Sequence, residues 1–446
     1  MLIVDDLQNW TALGQDQPEL KAMREQWCSS MKVIDPLRVL MVGIWGDAAP
    51  YNHRDSLYLL LYNVLSGSSK KRYWLTGFPK KVVCRCGCSG KCTFDVVWKI
   101  LQWSFDHLRI GRLPLKRHDG TEFKDSDCKH DRGWRDANKG TWLSFLGGVF
   151  QKRGDWSWLK QALSLQGWKE AGRVCFKCPC TASQMREFSL SASWRHAVFN
   201  HARFLSDLEG RYMPLLGLPG FQLVWIMGDM MHNGCLGVVQ YVVGNILWVM
   251  FGKVGGLVTR PEQGLCLLLS LIHQASKALG ITAPINSLTL GMIRPKNVMS
   301  KLKAAEGRHM LPVLQYCLTN FFKAETDHDS LVGLCLDRLC QVYAITEPTA
   351  WNPSSSPAKL GDSARRFSLL YAELSRIAIA GGDTFGVTWR IVPKFHMFLH
   401  TCEDSIDNPR DSWCYKDESE IGTAVTLAES LHPSTLPFQL MSRYRL

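Results

Sequence analysis

Acidic residues are the scarce charge in this 446-residue chain, with 40 Asp and Glu against 52 Lys and Arg, a formal net charge of +12 at pH 7. A surplus of that size suits a polyanionic partner better than a basic one. The chain also lacks an unbroken membrane-length apolar run. The nearest, Cys235 to Gly252, is interrupted by Gln240 and Asn245 and has no flanking basic cluster, so it predicts a buried helix and no membrane partner. A secretory leader is missing too, because the first ten residues (MLIVDDLQNW) place Asp5 and Asp6 where such a leader has Lys or Arg. Internal repeats are absent, and the one low-complexity tract is the linker-like Pro348 to Pro357 (PTAWNPSSSP). Disordered, collagen-like and coiled-coil classes are thereby excluded, since 46% of the residues are apolar and 21% charged.

Cysteine, by contrast, is plentiful at sixteen residues. Without a secretory leader, and in tight spacings, these read as reduced thiols of an intracellular protein with some on zinc. One group is Cys84, Cys86, Cys88 and Cys92; the other is Cys175, Cys178 and Cys180, with Cys128 and His130 between the two. Zinc wants four tetrahedral thiolate or imidazole ligands. Neither group has standard finger spacing, so a composite site joining members of both groups is expected, against the alternative of inert free thiols.

Along the chain, Leu37 to Trp45 (LRVLMVGIW) predicts a buried strand that Gly46 to Pro50 stops, delivering Asp47 at its end. Leu57 to Leu65 and Arg72 to Val83 predict two more strands across the turn Ser66 to Ser69, and Phe94 to Leu108 a helix presenting Val97, Leu101, Phe105 and Leu108. Residues 118 to 172 are polar and weakly periodic and read as a loop-rich elaboration. Phe221 to Met227 (FQLVWIM) predicts a strand followed by Asp229, repeating the pattern of Asp47. Helices are expected at 235–251, 264–279, 310–322, 330–343 and 364–380.

A carboxylate just past a buried strand is costly unless it meets a cation or a donor, so two such acids suggest a shared metal; the plain alternative is that each caps the next turn. The run Gly228-Asp229-Met230-Met231-His232-Asn233-Gly234-Cys235-Leu236-Gly237, with Pro393-Lys394-Phe395-His396-Met397 and Trp413-Cys414-Tyr415-Lys416-Asp417-Glu418, resembles the cut-and-paste DDE transposases of the CACTA and related eukaryotic transposon families. That resemblance implies an α/β fold: an RNase H-like core, a mixed sheet with flanking helices, interrupted by a large, mostly helical insertion and joined by the Cys-rich zinc-like elaboration. The division it suggests is an N-terminal segment 1–36, a first core part with a basic Cys-rich hairpin 37–110, the elaboration 111–220, a core strand with the second acid 221–234, the insertion 235–385 and a C-terminal core part 386–446.

The same resemblance implies Asp47, Asp229 and Glu418 as catalytic acids holding two Mg²⁺ (or Mn²⁺) ions for DNA cleavage and strand transfer in the nucleus. Asp417 and Glu420 crowd the same helical turn as Glu418 and remain alternatives for the third acid. His232 and His396 would line the site, and His396 and His400, four apart, would pair on a metal or simply pack. Lys70, Lys71, Arg72, Lys80, Lys81, Arg85 and Lys91 form a run free of acids and interleaved with Tyr73, Trp74 and Phe78, the pattern expected where phosphates are neutralised and bases stacked. Two readings follow: a transposase-like enzyme, active or domesticated, or a zinc-stabilised DNA-binding protein derived from one without the chemistry. Self-association is left open.

Overall fold

The computed structural model describes residues 18–65, 71–123, 136–165, 167, 172–208, 213–218, 220–255, 260–293, 299–381, 386–432 and 434–444. Lys70, Cys128, His130 and the turn Ser66 to Ser69 lie outside them. In chain order the elements are α1 (Pro18–Met31), β1 (Val39–Asn52), β2 (Asp55–Val64), β3 (Tyr73–Pro79), α2 (Lys91–Ile110), β4 (Leu146–Arg153), α3 (Trp156–Leu163) and α4 (His201–Asp207). A wide π-type turn, Met230–Val239, leads into α5 (Gln240–Gly255), α6 (Pro261–Ala278), α7 (Ala304–Asn320), α8 (Asp327–Ile345), α9 (Ser356–Ile379), α10 (Pro393–Glu403), α11 (Pro409–Ser412), α12 (Tyr415–Glu429) and α13 (Leu436–Tyr444). The chain is thus α/β, and it divides into two compact units. Met1–Gly167, Phe199–Met227 and Cys414–Leu446 form the first; Trp168–Val198 and Gly228–Trp413 form the second.

The first unit is organised on a four-stranded mixed sheet of order β3-β2-β1-β4. β1 pairs antiparallel with β2 and parallel with β4. Val39 to Gly46 are buried at every position, as a central strand covered on both faces requires. β1 and β2 were legible for that reason. Gly46 to Pro50 do not stop β1, however: Asp47 lies within the strand opposite Leu59, and the ladder continues to Asn52 through an irregularity after Pro50. The stretch expected to be loop-rich carries β4 and α3. β4 escapes a hydropathy reading because Gln151, Lys152 and Arg153 are buried polar residues in a core strand. Lys152 donates to the Leu215 carbonyl at 2.8 Å and sits 3.6 Å from the centre of the Phe221 ring. The strand expected at 221–227 reduces to one parallel bridge, Ile226 to Lys152, after a 3₁₀ turn. α2 buries Phe94, Trp98 and Phe105, so its inward face is turned from the expected one, sharing only Phe105. α12 packs on β1 and β2, and α13 on β3.

The second unit is helical, and the five helices expected between 235 and 380 are present as α5 to α9. Met230–Gly255 is long and apolar enough to cross a membrane, but 78% of its apolar window is buried inside the protein, as in a core helix. Its Gly244 is required: a Cβ there would come 2.6 Å from the Ser300 backbone nitrogen.

Candidate functional site

Chemistry-bearing residues gather at three places. The first lies in the sheet unit. The parallel pair β1 and β4 sets Trp45 level with Arg153, its last pair; Asp47 follows two residues later within β1, and Asp155 two residues after the end of β4. One carboxylate thus lies within β1 and the other just past the end of its parallel neighbour β4, and both are half-buried. The ring of Trp158 covers the opposite face, where a Cβ on Gly46 or Gly154 would collide with it. A Cβ on Gly43 would instead meet the Arg153 guanidinium. By strand alternation Asp47 shares the Gly43 face. Asp155 also caps α3, its Oδ1 accepting from Trp158 N at 2.5 Å.

The Arg153 guanidinium leads to α12. Asp417, fully buried, accepts from Arg72 Nε at 2.6 Å and Arg153 Nη2 at 3.2 Å through one oxygen. Glu420 accepts from Trp74 Nε1 at 3.1 Å, and Glu418, between them, is half-buried. Burial lowers the Arg72 pKa, and the neighbouring Arg153 charge adds to that, against the opposing pull of Asp417. Arg72 therefore belongs to the core and not to a DNA-binding surface. Tyr73, Trp74 and Phe78 are buried as well, so they offer no faces for stacking bases. Lys71, Lys80, Lys81 and Arg85 are exposed and Lys91 half-buried.

The second place is in the helical unit. Pro393 opens α10 and puts His396 and His400 one turn apart on the same face. Opposite them lies the turn carrying Cys175 and Cys178, shaped by Lys177 N donating to Cys175 Sγ at 3.2 Å and Val174 N donating to the Cys180 carbonyl at 2.9 Å. Cys175, Cys178, His396 and His400 are all buried, and their donor atoms lie within 4.8 Å of one another. Cys178 Sγ is 3.2 Å from His396 Nε2 and 3.5 Å from His400 Nε2. Tetrahedral zinc with S and N ligands has ligand-to-ligand edges of roughly 3.3 to 3.8 Å. This set could hold a metal such as zinc. Its surroundings fit: His400 Nδ1 faces the Asp404 carboxylate at 3.5 Å, Asp404 in turn accepts from Lys177 Nζ at 2.9 Å, and Trp194 packs edge-on to His396. A carboxylate behind a ligating imidazole fixes its tautomer and raises its basicity. Burial lowers the His396 pKa, keeping the ring neutral as a ligand must be.

The third place is the hairpin of Cys84, Cys86, Cys88 and Cys92, whose sulfurs also lie within 4.8 Å of one another. Among the described residues each group thus gathers four donors within its own unit, where the sequence reading expected members of both groups to share a site. Cys180 stays outside, its thiol directed at the Thr181 carbonyl at 3.5 Å.

Neither a family model nor any curated protein matches this chain.

Asp229 sits in the helical unit as the cap of the π-type turn. Its Oδ1 accepts from Met231 N and its Oδ2 from His232 N, both at 3.0 Å, and His232 Nδ1 lies 2.5 Å from Oδ2. Burial alone would raise its pKa, but His232 and the two backbone N–H groups bring it below the usual range. The spacing of Asp229 and His232 in the sequence is therefore that of a capping carboxylate and a histidine that reaches back to it. Asp47 and Glu418 belong to the other unit, together with Asp155, which the sequence reading passed over. The signal for Asp155 was weak because the strand that presents it ends in Gln-Lys-Arg.

Proposed function

We propose that the protein is a metal-dependent polynucleotidyl transferase of the DDE transposase type on an RNase H-like core, acting on DNA. The observation that carries this reading is a sheet of order β3-β2-β1-β4 in which β1, bearing half-buried Asp47, runs parallel to β4, with half-buried Asp155 two residues past the end of β4, and which Ile226 extends by one parallel bridge. Such strand ends are where α/β sheets place their chemistry. We assign the second acid to Asp155, which belongs to the same unit as Asp47 and Glu418, whereas Asp229 belongs to the other. Glu418 is kept as the third; on the same helix turn Asp417 accepts from two arginines and Glu420 from Trp74.

A hard cation such as Mg²⁺ or Mn²⁺ takes oxygen ligands and keeps waters, which suits half-buried carboxylates. When bound, a pair of such ions makes a water or a DNA 3′-hydroxyl nucleophilic at neutral pH and stabilises the leaving oxygen. The chain's own part is to hold Asp47 on β1 and Asp155 just past β4, and to anchor α12 through the Arg72–Asp417–Arg153 contacts. Zinc in the Cys175, Cys178, His396, His400 set would be structural, since four protein ligands leave no open position.

The second reading, a DNA-binding protein without chemistry, draws on the two four-donor sets, which would stabilise a fold whether or not it cuts. Strand nicking of a supercoiled plasmid with Mg²⁺ or Mn²⁺ separates the two. Asp155→Asn and Asp47→Asn should each abolish nicking, a loss of at least 10²-fold, with DNA binding retained, while Asp229→Asn should keep measurable activity. Loss in Asp229→Asn with full activity in Asp155→Asn would reverse the assignment. Absence of nicking by the native chain with either metal would favour the second reading.

A further inference from the structure

A cavity of about 1040 Å³ opens in the sheet unit between the β1–β2 turn, the segment after β3, the Cys84 to Cys92 hairpin and α3. Its walls carry Arg54, Lys80, Lys81, Arg85, Lys91 and Lys160. The one carboxylate among its lining residues, Asp55, is occupied by the backbone N–H groups of Ser56 and Lys81 and by the Tyr51 hydroxyl. No aromatic ring apart from His53 lines it. That chemistry suits a phosphodiester backbone and not unpaired bases, which need stacking platforms.

The hairpin forming one wall has the geometry of a metal knuckle. Cys86 and Cys92 sulfurs are 3.8 Å apart, about the edge of a zinc tetrathiolate. Gly87, Ser89 and Gly90 all take left-handed backbone angles, which folds a C-x-C-x-C-x3-C run tightly enough to converge four sulfurs. Cys92 N points to Cys88 Sγ at 3.5 Å, and Cys84 N donates to Thr93 Oγ1 at 2.9 Å, tying the hairpin to the start of α2. Four thiolates around Zn²⁺ carry a net charge of −2. Arg85 and Lys91, within the hairpin itself, offset that charge, and Arg54, Lys80 and Lys81 add to the basic wall.

We propose that Cys84, Cys86, Cys88 and Cys92 bind a structural zinc ion, and that this ion fixes the basic wall of a groove that takes the phosphate backbone of duplex nucleic acid. The proposal rests on the DNA-directed reading above and gives that reading its docking surface. The ion takes no part in cleavage.

The test uses the full chain. Zinc content by elemental analysis should be two per chain in the native protein and one in Cys86→Ser/Cys92→Ser, whose two side chains are exposed and whose loss spares the core. Binding to a fluorescent DNA duplex of random sequence, followed by anisotropy across a salt series, should weaken at least tenfold in that variant. Lys80→Gln/Lys81→Gln should keep both zinc ions, weaken binding, and flatten the plot of log K against log salt by about 0.9 per phosphate contact removed. An unchanged zinc count in the cysteine variant overturns the metal site. Unchanged duplex affinity in the lysine variant overturns the groove. Nicking separates this proposal from the enzymatic one: a protein that binds duplex through these lysines yet never cuts refutes only the enzyme, and one that cuts DNA with Lys80 and Lys81 irrelevant refutes only the groove.

Discussion

Replacing Asp417 with Ala removes the only carboxylate bonded to Arg72 and Arg153 among the described hydrogen bonds and ion pairs. Relative exposures of 0%, 6% and 1% for Asp417, Arg72 and Arg153 decide the size of the effect. A surface pair of this kind would contribute under about 1 kcal/mol. Here the loss leaves two desolvated guanidinium ions facing each other, the situation in which removing one partner costs roughly 3 to 5 kcal/mol. The Gln151 amide oxygen, 3.3 Å from Arg153 Nη1, offsets little of that. For a unit of 150 to 250 residues each kcal/mol moves Tm by about 2 to 4 °C, so the sheet unit should melt about 6 to 20 °C lower. Differential scanning calorimetry of the full chain, with limited proteolysis to identify which unit opens first, measures this. The companion variant Arg72→Met/Arg153→Met/Asp417→Leu, which removes every charge of the set, should recover most of the loss. Asp417→Ala as stable as the native chain, or a triple variant worse than the single one, would show that the three charges are solvated and the reasoning wrong.

Zinc removal from the helical unit should be as costly: His400→Ala should lower the zinc count by one and make residues 168–198 the first cut by protease, whereas native-like zinc content and proteolysis would sink that centre. The Asp229 pKa is lower in the folded chain than the ordinary value of about 3.9, so its stabilisation is complete above that pH and is lost as pH falls through the lower folded value. Acid unfolding followed by circular dichroism should therefore lose part of its pH dependence below about pH 4 in Asp229→Asn, and identical acid curves would contradict the capping role. Gly46→Ala sets a methyl group against the Trp158 ring and should cost about 1 to 3 kcal/mol in urea unfolding; an unaffected variant would mean that Trp158 is free to move aside.

The sequence made β1 and β2 plain because both lie in the sheet centre and read as unbroken apolar runs. It concealed β4 because Lys152 and Arg153 look like solvent residues until the Leu215 carbonyl and Asp417, respectively 63 and 264 residues away, are seen to receive them. The same concealment hid Asp155. Half of each metal-ligand pair was legible, as the C-x-x-C of Cys175 and Cys178 and as the i,i+4 histidines of α10. Their meeting was not, since Cys178 and His396 are 218 residues apart and no local pattern encodes such a contact. The basic run was visible as charge, but which members face solvent depends on strand alternation and on α12, which draws Arg72 inward.

The division of the sheet unit among three separate stretches sets an order of events during synthesis. Arg72 precedes Asp417 by 345 residues, an interval of roughly 17 to 70 s at about 5 to 20 residues per second. All of the helical unit's sequence is made within that interval, because it ends at Trp413. Asp417, which receives both Arg72 and Arg153 in the folded chain, is therefore translated last of the three. The sheet unit thus gains α12, the helix that docks on β1 and β2, only after the helical unit has been translated.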